Sequence, residues 1–68
     1  MKMTYDEDAD SAYIYIKDSL GKGEVKKTIS LNNNIIIDFD KDQKLVGIEV
    51  LNASHVISKK ALEKQAAH

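Results

Sequence analysis

Cysteine is absent from the 68 residues, so neither disulfides nor thiolate-held zinc can staple the chain. Proline is absent, and nothing in the composition marks a linker or a domain boundary, so residues 1–68 read as one small domain. Arginine is missing too: all ten basic residues are lysine, set against eleven acidic ones for a net charge of −1. Arginine is the usual bidentate partner of phosphate and guanine, so the chain is not expected to contact nucleic acid directly. No apolar run approaches the roughly 20 residues of a membrane span. The amino terminus lacks the apolar core of a signal peptide. The expectation is a cytoplasmic protein with no membrane partner.

A chain this short buries only about 60% of the surface its unfolded form exposes. Small scaffolds without staples often gain core by self-association, which sets the expectation of a homodimer.

What is present is β-branched and patterned. Ile35, Ile37 and Phe39 alternate with Ile36, Asp38 and Asp40, and Val46, Ile48 and Val50 alternate with Leu45, Gly47 and Glu49. This two-residue period predicts a hairpin with one apolar face. Pairing Phe39 with Val46, Ile37 with Ile48 and Ile35 with Val50 puts the apolar sets together, and a slip of one residue would invert one strand. A two-residue turn at Asp42-Gln43 favours glycine at position 43. A four-residue loop from Lys41 to Lys44 on a type I turn, with no left-handed residue at Gln43, is the expected closure. Gly47, opposite Asp38, marks a bulge or a close backbone approach.

From the amino terminus, Lys2 to Tyr5 reads as a short strand and the acidic Asp6–Ser11 stretch as a capping loop. In the strand Ala12–Lys17, Ala12, Ile14 and Ile16 share one face, and Tyr13 and Tyr15 the other. Gly21-Lys22-Gly23 lies in a loop. Val25 to Leu31 forms the next strand, and a three-residue loop of Asn32, Asn33 and Asn34 aligns Leu31 with Ile35 and Ile29 with Ile37. Such a loop calls for one left-handed residue, which asparagine tolerates. Good helix formers from about residue 55 to 67 predict a carboxy-terminal helix, N-capped by Ser54 or Ser58, that lies on the sheet or projects toward a partner. The sum is an α+β domain: an antiparallel β-meander of about five short strands over residues 2–51 with one helix.

These residues resemble domain-of-unknown-function family 2283, a set of small prokaryotic proteins. The resemblance rests on Tyr5-Asp6, Ala9-Asp10 and Tyr13-Ile14 in the first half. In the second it rests on Asp38-Phe39-Asp40, Asp42, Val46-Gly47-Ile48-Glu49-Val50-Leu51 and Ala53-Ser54. It covers roughly residues 3 to 54 and departs at Gln43, where the family usually has glycine. It implies the fold and a bacterial or archaeal source, but no activity. Members of the family are often encoded beside small toxin-like proteins, which implies an antitoxin-like role by analogy.

Asp38, Asp40, Asp42 and Glu49 stand at positions 1, 3, 5 and 12 of a calcium-loop pattern. The pattern's glycine is replaced by Gln43 and its flanks read as strands. Charged outward positions of a hairpin are the plainer reading; a small metal- or ligand-binding module is the alternative. Asp6, Asp8 and Asp10 repeat the spacing, but position 12 falls on Lys17, so a solvated capping loop is expected. Ser54 and His55 lack the strained nucleophile and oxyanion hole of a hydrolase, and Gly21-Lys22-Gly23 lacks the following helix of a phosphate cradle.

With no catalytic, cofactor or metal residues assigned, the sequence points to a non-enzymatic, homodimeric interaction protein. The candidate interface is Tyr13, Tyr15 and Ile36 on one sheet face with Ile57 and Leu62 on the helix, unless that helix itself covers the tyrosine face. A small basic protein is the partner that suits the acidic loop.

Overall fold

The computed structural model describes residues 1–66. Five strands come first, joined by short loops except for the longer connection over residues 16–26: β1 (Lys2–Asp6), β2 (Ser11–Tyr15), β3 (Lys27–Ser30), β4 (Ile35–Phe39) and β5 (Leu45–Leu51). A single 3₁₀ turn (Ala53–His55) and the helix α1 (Lys59–Ala66) follow. Residue 67, the expected end of the helix, and His68 lie outside the described residues. No described helix is long and apolar enough to cross a membrane.

The sheet is antiparallel throughout, with spatial order β1-β2-β5-β4-β3. It consists of two meandering runs, β1–β2 and β3–β4–β5, joined where β2 pairs with β5. The only connection between strands that are not neighbours runs from β2 to β3, through the loop that holds Gly21 and Gly23.

Register fixes the two faces. Met3, Ile14, Ile48, Ile37 and Ile29 fall on one rung across all five strands. Tyr5, Ala12, Val50 and Ile35 form the next rung of the same face. This is the inner face, and α1 packs on its β1 side. Ala12, Val50, Ala53 and Leu62 are buried together, with Met3, Tyr5, Ile14, Ile48 and Ile57 packed around them. The rung outruns the helix: Ile29 on β3 remains 42% exposed.

The hairpin register agrees with the alternation at Ile35–Val50 and Ile37–Ile48 but changes near the turn. Asp38 faces Gly47 and Phe39 faces Leu45, so Val46 is the extra residue of a bulge, not the partner of Phe39. The Val46 carbonyl accepts from both Ile16 N–H and Lys17 N–H, at 3.0 and 3.3 Å, while its side chain is buried. The turn also departs from expectation. Asp40 N–H donates to the Lys44 carbonyl and Gln43 N–H to that of Asp40. Lys41–Gln43 is thus a three-residue loop, and Gln43 takes a left-handed φ of 62°. Asp40 holds this loop: its Oδ1 accepts from Asp42 N–H and Lys44 N–H at 2.8 and 3.0 Å.

The Asn32–Asn34 loop gives the expected pairing, with Leu31 N–H on the Ile35 carbonyl. No asparagine of that run has a positive φ. Asn32 instead closes the loop with its side chain, Oδ1 accepting from Asn34 N–H and Ile35 N–H at 2.7 and 2.9 Å. Asn52, at the end of β5, takes the left-handed conformation, and it precedes the 3₁₀ turn. Of the two candidate caps, Ser58 serves α1, its Oγ accepting from Ala61 N–H at 3.3 Å.

Candidate functional site

Tyr5 and Phe39 lie on the inner face, while the face opposite α1 carries Tyr13 and Tyr15. One of its rungs runs Lys2, Tyr15, Gly47, Asp38, Thr28; the next runs Thr4, Tyr13, Glu49, Ile36, Ser30. Tyr13 leaves its own rung and lies over Gly47. A Cβ added at Gly47 would stand 2.1 Å from the Tyr13 hydroxyl and 2.5 Å from its Cζ. The missing side chain lets the phenol cross β5 and donate to Asp38 Oδ2 at 2.6 Å. The other oxygen, Asp38 Oδ1, accepts from Thr28 Oγ1 at 2.8 Å. One carboxylate therefore ties β2, β4 and β3 together across the sheet. Burial, then the adjacent Asp38 carboxylate, pushes the Tyr13 phenol well above its ordinary pKa.

Tyr15 stands edge-on to Tyr13, ring centroids 4.7 Å apart. The Lys2 ammonium lies 5.0 Å from the centre of the Tyr15 ring. Tyr13, Tyr15 and Ile36 are all half-buried. The result is an amphipathic aromatic patch with Asp38, Glu49 and, one rung on, Asp6 on the same face.

The expected interface residues divide between the two faces. Tyr13, Tyr15 and Ile36 share the face free of α1. Leu62 is only 5% exposed in the core on the other side, and Ile57 packs beside it. The helix lies on its own sheet, so these two side chains serve folding in this chain. The helix does not cover the tyrosines, because Ala12 and Val50 offer it the apolar surface.

The calcium-loop spacing does not assemble a metal set. Asp38 is held by Tyr13 and Thr28, Asp40 caps its own turn, and Glu49 stands opposite Ile36. Among the described residues no group of three or more His, Cys, Asp or Glu side chains converges as a metal site. Backbone donors, Lys44 N–H foremost, hold the Asp40 carboxyl below its usual range.

A second polar junction lies at the other end of the sheet. Asp10, at a left-handed φ of 50°, accepts at Oδ1 from the Tyr5 hydroxyl (2.7 Å) and Ser54 N–H (3.0 Å), and at Oδ2 from Ser54 Oγ (2.7 Å). Its carbonyl accepts from Ala53 N–H at 2.8 Å. The Tyr5 and Ser54 hydrogen bonds, the Tyr5 one first, lower the Asp10 pKa. The Ser54 hydroxyl is committed to Asp10 as a donor, so Ser54 and His55 form no nucleophile–base pair. Asp6 caps the preceding acidic loop, as expected, accepting from Asp8 N–H and Ala9 N–H. A cleft of about 450 Å³, lined by Tyr5, Glu7, Ser54, Lys59, Leu62 and Glu63, lies beside this junction.

The Gly21–Gly23 loop is closed by Glu24, which accepts from Gly21 N–H at 2.6 Å and pairs with Lys17. Sequence reasoning missed both carboxylate ties. A tyrosine near a strand glycine, with an aspartate on the next strand, was the available sign of the first. The Asp10–Ser54 tie spans 44 positions and has no local sign.

Comparison with known proteins adds a family. The profile of a family described as "Protein of unknown function (DUF2283)" matches residues 2–54. An uncharacterised protein of the archaeon Methanocaldococcus jannaschii is 38% identical over 58 residues, covering 85% of this chain and 46% of that protein. The chain thus spans about half the length of that relative. No solved structure matches.

Proposed function

The chain belongs to the DUF2283 family of proteins of unknown function, and on that footing we propose that it is a non-enzymatic, self-associating interaction module of the cytoplasm. It docks a partner polypeptide on the tyrosine-bearing sheet face. The observation that carries this reading is the Tyr13–Tyr15 pair on the face free of α1, with Ile36 beside it. Aromatic side chains give large contact area at small entropic cost, and interface hot spots are enriched in them. The Tyr13–Asp38 hydrogen bond fixes one ring before any partner arrives, which lowers the ordering cost of binding.

Charge favours a cationic partner. Asp6, Asp38 and Glu49 share that face, and the acidic loop continues from Asp6 through Glu7 and Asp8. A small basic protein suits this surface, and an antitoxin-like role is the sharpest form of the reading. The test is co-expression with a small basic protein encoded by an adjacent reading frame. The pair should purify together, and Tyr15→Ala or Ile36→Lys should release the partner. If the chain runs alone, the antitoxin form is lost. If both variants retain the partner, the tyrosine face is not the docking face.

A further inference from the structure

We propose that two copies of this chain join edge to edge through β1, antiparallel about a two-fold axis at Thr4, to form one continuous ten-stranded sheet. This deepens the self-associating part of the reading above and rests on it.

β1 is an edge strand, paired with β2 on one side and, among the described residues, with no strand on the other. Its five residues, Lys-Met-Thr-Tyr-Asp, are complementary to themselves when reversed. With Thr4 opposite Thr4, Lys2 of each copy faces Asp6 of the other, and Met3 faces Tyr5. Opposite charges, paired threonines and aromatic–apolar pairs are each favourable cross-strand neighbours, and a thioether beside an aromatic ring adds a further contact. All five residues pair in this register. A shift by two residues in either direction loses both ion pairs, and a shift by one sets the inner face of one copy against the outer face of the other.

Four of the five side chains are already placed to take these partners, and the exposed Lys2 swings from the Tyr15 ring to reach Asp6 of the second copy. Lys2, Thr4 and Asp6 are exposed, while Met3 and Tyr5 are half-buried at the rim of the inner face. Asp6 uses only Oδ1 in its own loop, which leaves Oδ2 for Lys2 of the second copy. Met3 and Tyr5 already pack against the core. Pairing would carry that core across the seam, beneath an α1 from each copy, since α1 lies over β1. A domain whose buried apolar set, among the described residues, is five side chains gains proportionately from such continuity.

The other edge does not offer this. β3 has four residues, all exposed, and is preceded by Lys26. Its matching register, centred on Ile29, would set Lys27 against Leu31. Edge lysines without an acidic counterpart are a common guard against pairing.

The chain has no native cysteine, so a single introduced thiol reports the seam. Directly opposed residues of antiparallel strands have Cα atoms about 4.5–5.5 Å apart, within disulfide reach. Thr4→Cys should oxidise to a linked dimer about ten-fold or more faster than Ser30→Cys on the opposite edge strand, because pairing sets a high local concentration. A second arm uses charge reversal read by sedimentation. Lys2→Asp and Asp6→Lys should each weaken the dimer by about ten-fold or more, and mixing the two should restore it as a heterodimer. If the unaltered chain is dimeric but Thr4→Cys is no faster than Ser30→Cys and mixing restores nothing, the β1 seam is overturned while self-association stands. If the unaltered chain is monomeric at every concentration, both fall, and docking on the tyrosine face is unaffected.

Discussion

The Tyr13 hydroxyl donates to Asp38 across the intervening strand, at the one residue of that strand that has no side chain, Gly47. This contact joins β2 to β4 without backbone pairing and fixes the aromatic patch proposed as the docking face.

Tyr13→Phe removes the donor and keeps the ring. It should lower stability by about 1.5–3 kcal/mol, the usual net worth of a hydrogen bond to a charged group, read as a lower urea midpoint at unchanged slope. The phenol also gives a pH signature. Its folded pKa lies above the unfolded value of about 10, so the neutral form's stabilisation is whole below pH 10 and is lost as pH rises through the folded value. Melting temperature should fall above about pH 10 in the unaltered chain, and fall less steeply in Tyr13→Phe.

Gly47→Ala should be costly for a steric reason alone. Gly47 has no positive φ, but a methyl group there meets the Tyr13 ring. The ring must move, losing Asp38, at about 1–3 kcal/mol. In a Tyr13→Ala background most of this cost should vanish. A double-mutant cycle on the two positions should show strong coupling, whereas additive values would mean the ring does not lie over the glycine.

Gln43→Gly should stabilise. The left-handed conformation costs a non-glycine residue about 1–2 kcal/mol, while glycine's added freedom in the unfolded chain costs about 0.5–1 kcal/mol. The net expectation is a gain of roughly 0.5–1 kcal/mol, visible as a raised urea midpoint.

Acid should loosen the end of the sheet where Tyr5, Asp10 and Ser54 meet. The folded pKa of Asp10 is depressed, so its contribution is complete above the ordinary carboxylate range near pH 4 and is lost as pH falls through the folded value. Asp40, Asp18 and Glu24 shift in the same direction, Asp40 through backbone donors, Asp18 through the amino terminus and Glu24 through Lys17. Asp10→Asn should therefore flatten the acid limb of stability against pH only in part.

Alternation was enough to read five strands and the pairings Ile35–Val50, Ile37–Ile48 and Ile29–Ile37, because a one-residue slip would expose an apolar row. It could not place β5 beside β2, since both carry suitable apolar faces and nothing local says which neighbours which. The sequence marked Gly47, opposite Asp38, as a bulge or close approach, but it could not show that Val46 is the extra residue or that Gln43 is left-handed. Both are adjustments to one three-residue loop, and in that loop the Asp40 side chain does the stabilising that glycine chemistry usually supplies. On the site, Tyr13, Tyr15 and Ile36 were legible as one face. Leu62 and Ile57 were not separable from them, because a short helix with few apolar residues does not declare which surface it will cover.

The docking reading stands on α1 lying over Ala12 and Val50 and leaving the tyrosines uncovered. Nuclear Overhauser contacts from the Leu62 methyl groups test this most directly. The account predicts cross-peaks to Ala12, Val50 and Ala53, and none to the Tyr13 or Tyr15 rings. Cross-peaks from Leu62 to either of those rings would contradict it.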